Sequence, residues 1–278
     1  MNSDKIAIEE VKIISDWTKE LFQEHPELFL AALEERIPAA SSEIDALLRR
    51  LREQGFKTRI ILDLNCGIGR HSVELGKRGI NVLGTDLSSR YIEIAKERAK
   101  KEGVEKNVRF RVADMRRIGS ELSDEKPFDG VINLYTSFGF YDDETNENVL
   151  RQCCKLVRPE GFFALEIINR HWIVRNFQER DFSPYKGMLV LEERRLDFKT
   201  SRAYTTWTYL LQQDDKHFIL KKQITMDHRI WSLHELAKMF ERTGWEFKVA
   251  YPGLDQQTSD VPLIEAKNLL FIAKRQKR

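Results

Sequence analysis

Three acids and one glycine turn carry most of the chemistry that can be read in this sequence. In "LDLNCGIGRHSVELG", residues 62–76, an apolar run ends in Asp63 and passes through Asn65, Cys66, Gly67 and Gly69 into a helix-like segment. Asp86 closes the next apolar run in "INVLGTDLS", and Asp114 the one after, in "NVRFRVADM". Glycine has no Cβ, so a turn built on it lets the backbone approach a ligand closely. Three ligand classes compete for such a turn. A triphosphate loop needs GxxxxGK followed by Ser or Thr, and no Lys stands at that place here. A dinucleotide turn needs GxGxxG, and the third position is Ser72, which weakens that match. S-adenosylmethionine has positive sulfonium and amino groups and an adenosine without phosphate, so acids at strand ends suit it. Asp86 suits any ribose diol and does not discriminate.

The elements that must position these residues follow a clear rhythm. "TRIILDLN" reads as a strand buried on both faces, as in a parallel sheet. Strand and helix then alternate to "FFALEII", after the turn "RPEG". That rhythm predicts an α/β fold: a doubly wound, Rossmann-like sheet with ligands at the carboxyl ends of its strands. Residues 1–55 read as helices, with Ile14, Trp17 and Leu21 at helical spacing and Ser41 or Ser42 as N-cap of the third. Residues 188–226 read as three antiparallel strands, the third showing Phe218, Leu220, Ile224 and Met226 on one face. Ser232 and Glu235 then form a capping box, with Trp231 and Leu236 as a hydrophobic staple. The expected division is a helical cap over 1–55, a ligand-binding domain over 56–170 and 228–278, and a β-rich insertion over 171–227.

Bulk composition bounds the partners. The 278 residues carry 46 basic and 44 acidic side chains, a net charge of +2, which argues against broad nucleic-acid binding. No apolar run approaches a membrane span, and the N-terminus shows no signal pattern. Three cysteines form neither a disulfide framework nor a CxxC pair, and six histidines show no metal spacing, so no metal is expected. A cytoplasmic protein fits best.

Several segments in register resemble one family. "LDLNCGIGRHSVELGKRGINVLGTDLS" is similar to the first two motifs of class I S-adenosylmethionine-dependent methyltransferases. "FRVADMR", "FDGVINLYTSFGF" and "LRQCCKLVRPEGFFALEIINR" resemble the next motifs in order. The resemblance runs from about residue 40 to the C-terminus, including the insertion and an antiparallel last strand. It implies that Asp63, Asn65, Cys66, Gly67 and Gly69 surround the methionine end of the cofactor. It also implies Asp86 on the ribose hydroxyls with Leu87 beside the sugar, Asp114 and the Met115 backbone on adenine, and Asn133 on the methionine side. Asn65 replaces the usual first glycine, and Asn tolerates left-handed backbone better than most residues.

A sulfonium methyl is already activated, so alignment supplies much of the rate and no universal catalytic residue is required. Acceptor chemistry must come from strand-end loops. Tyr135 and Ser137 follow strand four; Asn169, Arg170 and His171 follow strand five; Arg229 stands where the insertion returns. The expectation is that Arg170 or Arg229 binds an acidic group of the acceptor and that His171 or Tyr135 takes its proton. Insertions of this kind resemble the lids of small-molecule methyltransferases, where they cover the acceptor or build a dimer interface. A small polar acceptor, methylated at N or O, is therefore favoured over RNA or protein, with a nicotinamide-dependent oxidoreductase as the remaining alternative.

Overall fold

The computed structural model describes residues 16–185, 187–214, 216–254 and 261–277; Ile14 lies outside them. The chain enters through α1 (Trp17–Lys19), a wider π-turn (Glu20–Glu24), α2 (Glu27–Glu34) and α3 (Ala40–Glu53). Neither Ser41 nor Ser42 caps α3. A 3-10 turn, Ile37–Ala39, feeds the helix directly, so both serines fall in its first turn and Ser42 Oγ donates to the Ala39 carbonyl.

Strand and helix then alternate: β1 (Ile60–Leu64), α4 (Arg70–Lys77), β2 (Asn81–Asp86), α5 (Ser89–Lys101), β3 (Val108–Val112), α6 (Ile118–Glu121), β4 (Phe128–Asn133), α7 (Asp143–Leu156) and β5 (Val157–Ile168). "RPEG" lies inside β5 rather than before it, with Glu160 at φ +65° where the strand bends away from β4. After α8 (Arg170–Arg175) come β6 (Arg180–Tyr185), β7 (Met188–Asp197), β8 (Arg202–Gln212) and β9 (Phe218–Arg229). The chain closes with α9 (Leu233–Arg242), β10 (Trp245–Pro252) and β11 (Asn268–Arg275).

The main sheet has the order β10-β11-β5-β4-β1-β2-β3. It is parallel from β3 to β5, while β11 runs antiparallel to β5 and β10 antiparallel to β11. Two buried layers sandwich it, because its central strands are apolar on both sides. Ile44, Leu47, Val73 and Ala99 pack one face; Val149, Cys153, Leu236 and Phe240 pack the other. Strand order reverses at β1, between β4 and β2, which puts a crevice at the carboxyl ends of those strands.

The insertion is a separate antiparallel sheet, β6-β7-β8-β9. It has one strand more than the sequence pattern suggested: β6 carries Pro184 at an edge, where a missing N–H costs no ladder bond. The expected face of β9 also differs. Between Tyr209 and Leu210 the register slips, pairing Tyr209 with Lys222 but Leu210 with Leu220, so Lys221 is the extra residue of a bulge. Side chains alternate with period two, so that extra residue turns Phe218 and Leu220 to the face opposite Ile224 and Met226. Accordingly Leu220 is 65% exposed and Ile224 only 2%. The inner face of this sheet packs on the cap through Trp17, Leu21, Leu28, Val190 and Tyr209. The capping box is present: Ser232 Oγ accepts from Glu235 N, and the Glu235 carboxylate accepts from Ser232 N.

Candidate functional site

One continuous cleft of about 630 Å³ lies between the crevice, the cap and the insertion. Its floor is built by the loops after β1, β2 and β3. Asn65, Gly67 and Gly69 all adopt positive φ, at 60°, 56° and 73°. Asn65 holds the place of a glycine and anchors it, its amide donating to the Ser137 carbonyl at 2.8 Å and to Met115 Sδ at 3.0 Å. Gly67 lines the cleft and donates its N–H to Asp86 Oδ2 at 2.9 Å. Gly69 serves packing instead: a Cβ there would lie 2.8 Å from Phe110 Cζ and 2.9 Å from Ala95 Cβ.

Asp86 also accepts from Ser88 N at 2.9 Å and opens onto the cleft with Leu87, Asp114 and Met115. Burial pushes its carboxyl up to about 6, against the lowering effect of the Ser88, Gly67 and Leu87 N–H groups. Asp114 is gripped by Arg116 Nε at 2.9–3.0 Å, which fixes the acid's orientation. Asp63 sits behind the loop, outside the cleft, and accepts from Ser72 Oγ at 2.5 Å. Burial raises it to about 7, opposed by Ser72 and Arg70. Cys66 is likewise behind the loop, where its N–H binds the Thr85 carbonyl. Asn133 is fully buried; its amide donates to the Leu64 carbonyl, and its Oδ1 has no protein partner.

This floor fits S-adenosylmethionine on its own chemistry. A backbone cradle at Gly67 meets an acid with spare lone pairs, Asp86, on the wall of the cleft, whereas Asn133 does not line it.

The opposite side of the cleft comes from distant segments. Tyr135 and Thr136, after β4, both hold left-handed backbone (φ 59° and 61°). Two guanidiniums stand over the Tyr135 ring, Arg36 at 5.5 Å and Arg70 at 5.1 Å from its centroid. Glu43 of α3 lines the cleft and pairs with Arg70 and with His71 Nε2 at 2.7 Å. Burial works to raise Glu43, but those two partners outweigh it and hold the carboxyl down at about 2. Burial and Arg70 together lower His71 to about 4, so at neutral pH the pair is an ionised Glu43 bonded to a neutral imidazole. From the insertion come Tyr185, Glu192, Arg194 and Trp207. Glu192 accepts from Ser183 Oγ at 3.0 Å, Trp207 Nε1 at 3.2 Å and Arg194 at 2.5 Å. Phe29 of α2 stacks on Trp207, with centroids 5.5 Å apart and planes at 15°.

Tyr135 and Ser137 reach the cleft; Asn169, Arg170, His171 and Arg229 do not line it. Asn169 caps α8 and donates to the Leu263 and Ala266 carbonyls at 2.8 Å. His171 is exposed on α8. Arg229 is 8% exposed and is spent on Glu235, Asp143 and the Ile230 carbonyl, so it fastens the insertion to α9 and α7 rather than meeting a ligand. The residues missed in the sequence are Arg36, Glu43, Glu166 and Glu192. Only Glu166 left a local signal, an acid inside the apolar run "FFALEII".

Residues 61–161 match the family model described as a methyltransferase domain. A glycine/sarcosine N-methyltransferase of Halorhodospira halochloris is 26% identical over 78% of this chain and 78% of its own. A ubiquinone biosynthesis O-methyltransferase of Maricaulis maris is 32% identical over 42% of this chain, a match spanning 44% of that relative's length. Among solved structures, an S-adenosylmethionine-dependent methyltransferase from Clostridium acetobutylicum superposes with a TM-score of 0.72 at 12% identity, covering 89% of this chain and 98% of that one. At that identity the likeness concerns the fold, while the family match falls on the segment that builds the cleft floor. Residues 61–161 thus match a methyltransferase domain, in a fold shared with solved S-adenosylmethionine-dependent methyltransferases.

Proposed function

We propose that this chain transfers the methyl group of S-adenosylmethionine to nitrogen or oxygen of a small polar acceptor. The observation that carries this reading is the single cleft whose floor is the Asp86–Gly67–Asp114 side and whose roof is the cap and insertion together. A cavity of about 630 Å³ is of the size that encloses small ligands. Two of the insertion's arginines are already paired, Arg180 with Glu193 and Arg194 with Asp181 and Glu192, which leaves them less free for a polyanion.

The cofactor supplies an activated sulfonium methyl; the protein supplies position. Asp86 would accept both ribose hydroxyls, with Leu87 against the sugar. Asp114 and the Met115 N–H would read the adenine edge, and Asn65 and Gly67 would border the methionine end, with the buried Asn133 behind them. Asp63, Cys66 and Gly69 would act from behind, by shaping the turn. Tyr135 is the group from the sequence expectation that remains available to an acceptor proton. Orientation of this kind supplies a large share of the rate in a bimolecular transfer.

Calorimetric titration with S-adenosylhomocysteine and with NAD tests the reading. Binding of the first and not the second is expected. Asp86→Ala removes two hydrogen bonds to a charged acceptor, about 3 kcal/mol in all, so affinity should fall on the order of a hundredfold. Binding of NAD instead would end the proposal.

A further inference from the structure

Among the described cleft carboxylates, Glu166 alone has neither a cofactor role nor a paired cation. It stands at the carboxyl end of β5 and is 5% exposed, yet it lines the cleft. Its oxygens accept from two backbone N–H groups, Tyr135 at 3.2 Å and Leu254 at 3.0 Å. Each carboxylate oxygen has a second lone-pair site, so both remain able to accept another donor.

The other cleft acids are neutralised or already given a role. Glu43 has Arg70, Asp114 has Arg116, and Asp181 and Glu192 share Arg194. Asp86, also without a cation, faces the ribose side. Among the described residues no Lys or Arg forms an ion pair with Glu166. The two guanidiniums that act on it from a distance are committed elsewhere: Arg50 to the Pro252 and Gly253 carbonyls at 2.9 Å, Arg70 to Glu43. Burial raises the Glu166 carboxyl above its ordinary value, as expected for an acid lacking a counter-charge. Gly253 keeps the loop backbone close; a Cβ there would lie 3.1 Å from Glu166 Oε1.

Strand order decides what such an acid serves. The cofactor-facing acids, Asp86 and Asp114, stand at the carboxyl ends of β2 and β3, whereas β5 lies beyond β4, on the far side of the switch point. A buried, uncompensated carboxylate is costly unless a cation reaches it. We propose that the acceptor binds as a cationic amine and that Glu166, held in the cleft by the Tyr135 and Leu254 N–H groups, is its counter-charge and then takes one ammonium proton, which frees the nitrogen lone pair for the methyl. This rests on the methyltransferase reading and narrows it from nitrogen or oxygen to nitrogen.

The test uses the full chain saturated with S-adenosylhomocysteine, which occupies the Asp86 side, and two probes of equal shape, benzylammonium and benzyl alcohol. Calorimetry should give the ammonium at least about tenfold tighter binding, the scale of a charge-assisted bond. In Glu166→Gln the preference should fall to about threefold or less, with S-adenosylhomocysteine affinity kept. Equal binding of the two probes to the unaltered protein overturns the proposal, as does a preference that survives in Glu166→Gln. If the glutamine variant does not fold, the unaltered protein decides alone. Failure to bind S-adenosylhomocysteine at all would remove the underlying cofactor reading, which is a different outcome from binding it without discriminating between the probes.

Discussion

The two walls of the cleft are made in opposite ways. The floor is local: residues 63–69, 86–88 and 114–115 are short strand-end loops, and backbone groups such as the N–H of Gly67 and Ser88 form part of it. The roof is collected from far apart in the chain: Phe29 and Glu43 from the cap, Tyr135 after β4, Glu192 and Trp207 from the insertion. Backbone geometry tolerates few side chains and so leaves a spelling in the sequence. Side-chain geometry tolerates many solutions and leaves little. The floor should therefore be brittle to single changes, and the roof should be open to retuning.

The largest expected effect is on the floor. Gly69→Ala would press a Cβ into Phe110 and Ala95 at positive φ, costing about 3 kcal/mol or more. Thermal unfolding should show the loss, and cofactor binding should go with it; a tolerated alanine would mean that the floor is as adaptable as the roof. Next is Arg229→Ala, which strips a buried guanidinium from its partners. About 2–3 kcal/mol of stability is expected to go, while acceptor KM stays unchanged in the folded fraction. A raised KM at normal stability would restore Arg229 as an acceptor anchor. On the roof, Trp207→Ala should raise acceptor KM about tenfold, on the scale of one aromatic contact, and leave S-adenosylhomocysteine affinity within about threefold. Equal losses for both ligands would show that the two walls are not separable.

The smallest effect is a pH dependence. Asp86 must be ionised to accept two hydroxyls, and burial has raised it to about 6. Affinity for S-adenosylhomocysteine should be level above pH 7 and fall roughly tenfold per unit below about 6. Stability of the free protein should move the other way for this group. A raised acid binds protons more tightly when folded, so its contribution declines as pH rises from about 4 to 6. Neutral burial of His228, lowered to about 4 and bonded to the Phe138 carbonyl, acts oppositely and is lost as pH falls from 6.5 toward 4.

The sheet and the cofactor loops were legible because period, glycine and acid fall within a few residues of one another. Asn65 could be read as a left-handed position, and it is one. The capping box at Ser232 was legible for the same reason. The faces of β9 were not, since the single extra residue Lys221 shows only in pairing with β8. Arg229 and His171 stand outside the cleft although both neighbour strand ends in sequence, because that neighbourhood does not say which way a side chain turns. Glu166 was the converse. An acid in a buried strand is the signal that picked out Asp63, and it went unused in "FFALEII" because nothing nearby resembled a turn.

The stack of Phe29 on Trp207 bears on time as well as space. It joins cap to insertion, and α2 is tied to the floor as well, with Pro26 accepting from the Tyr91 hydroxyl at 2.8 Å. Cap, insertion and floor are thereby linked in series, so a shift of one is passed to the next. Motions of such packed segments run on microsecond-to-millisecond scales, which sets the pace at which the roof could adjust to what lies under it.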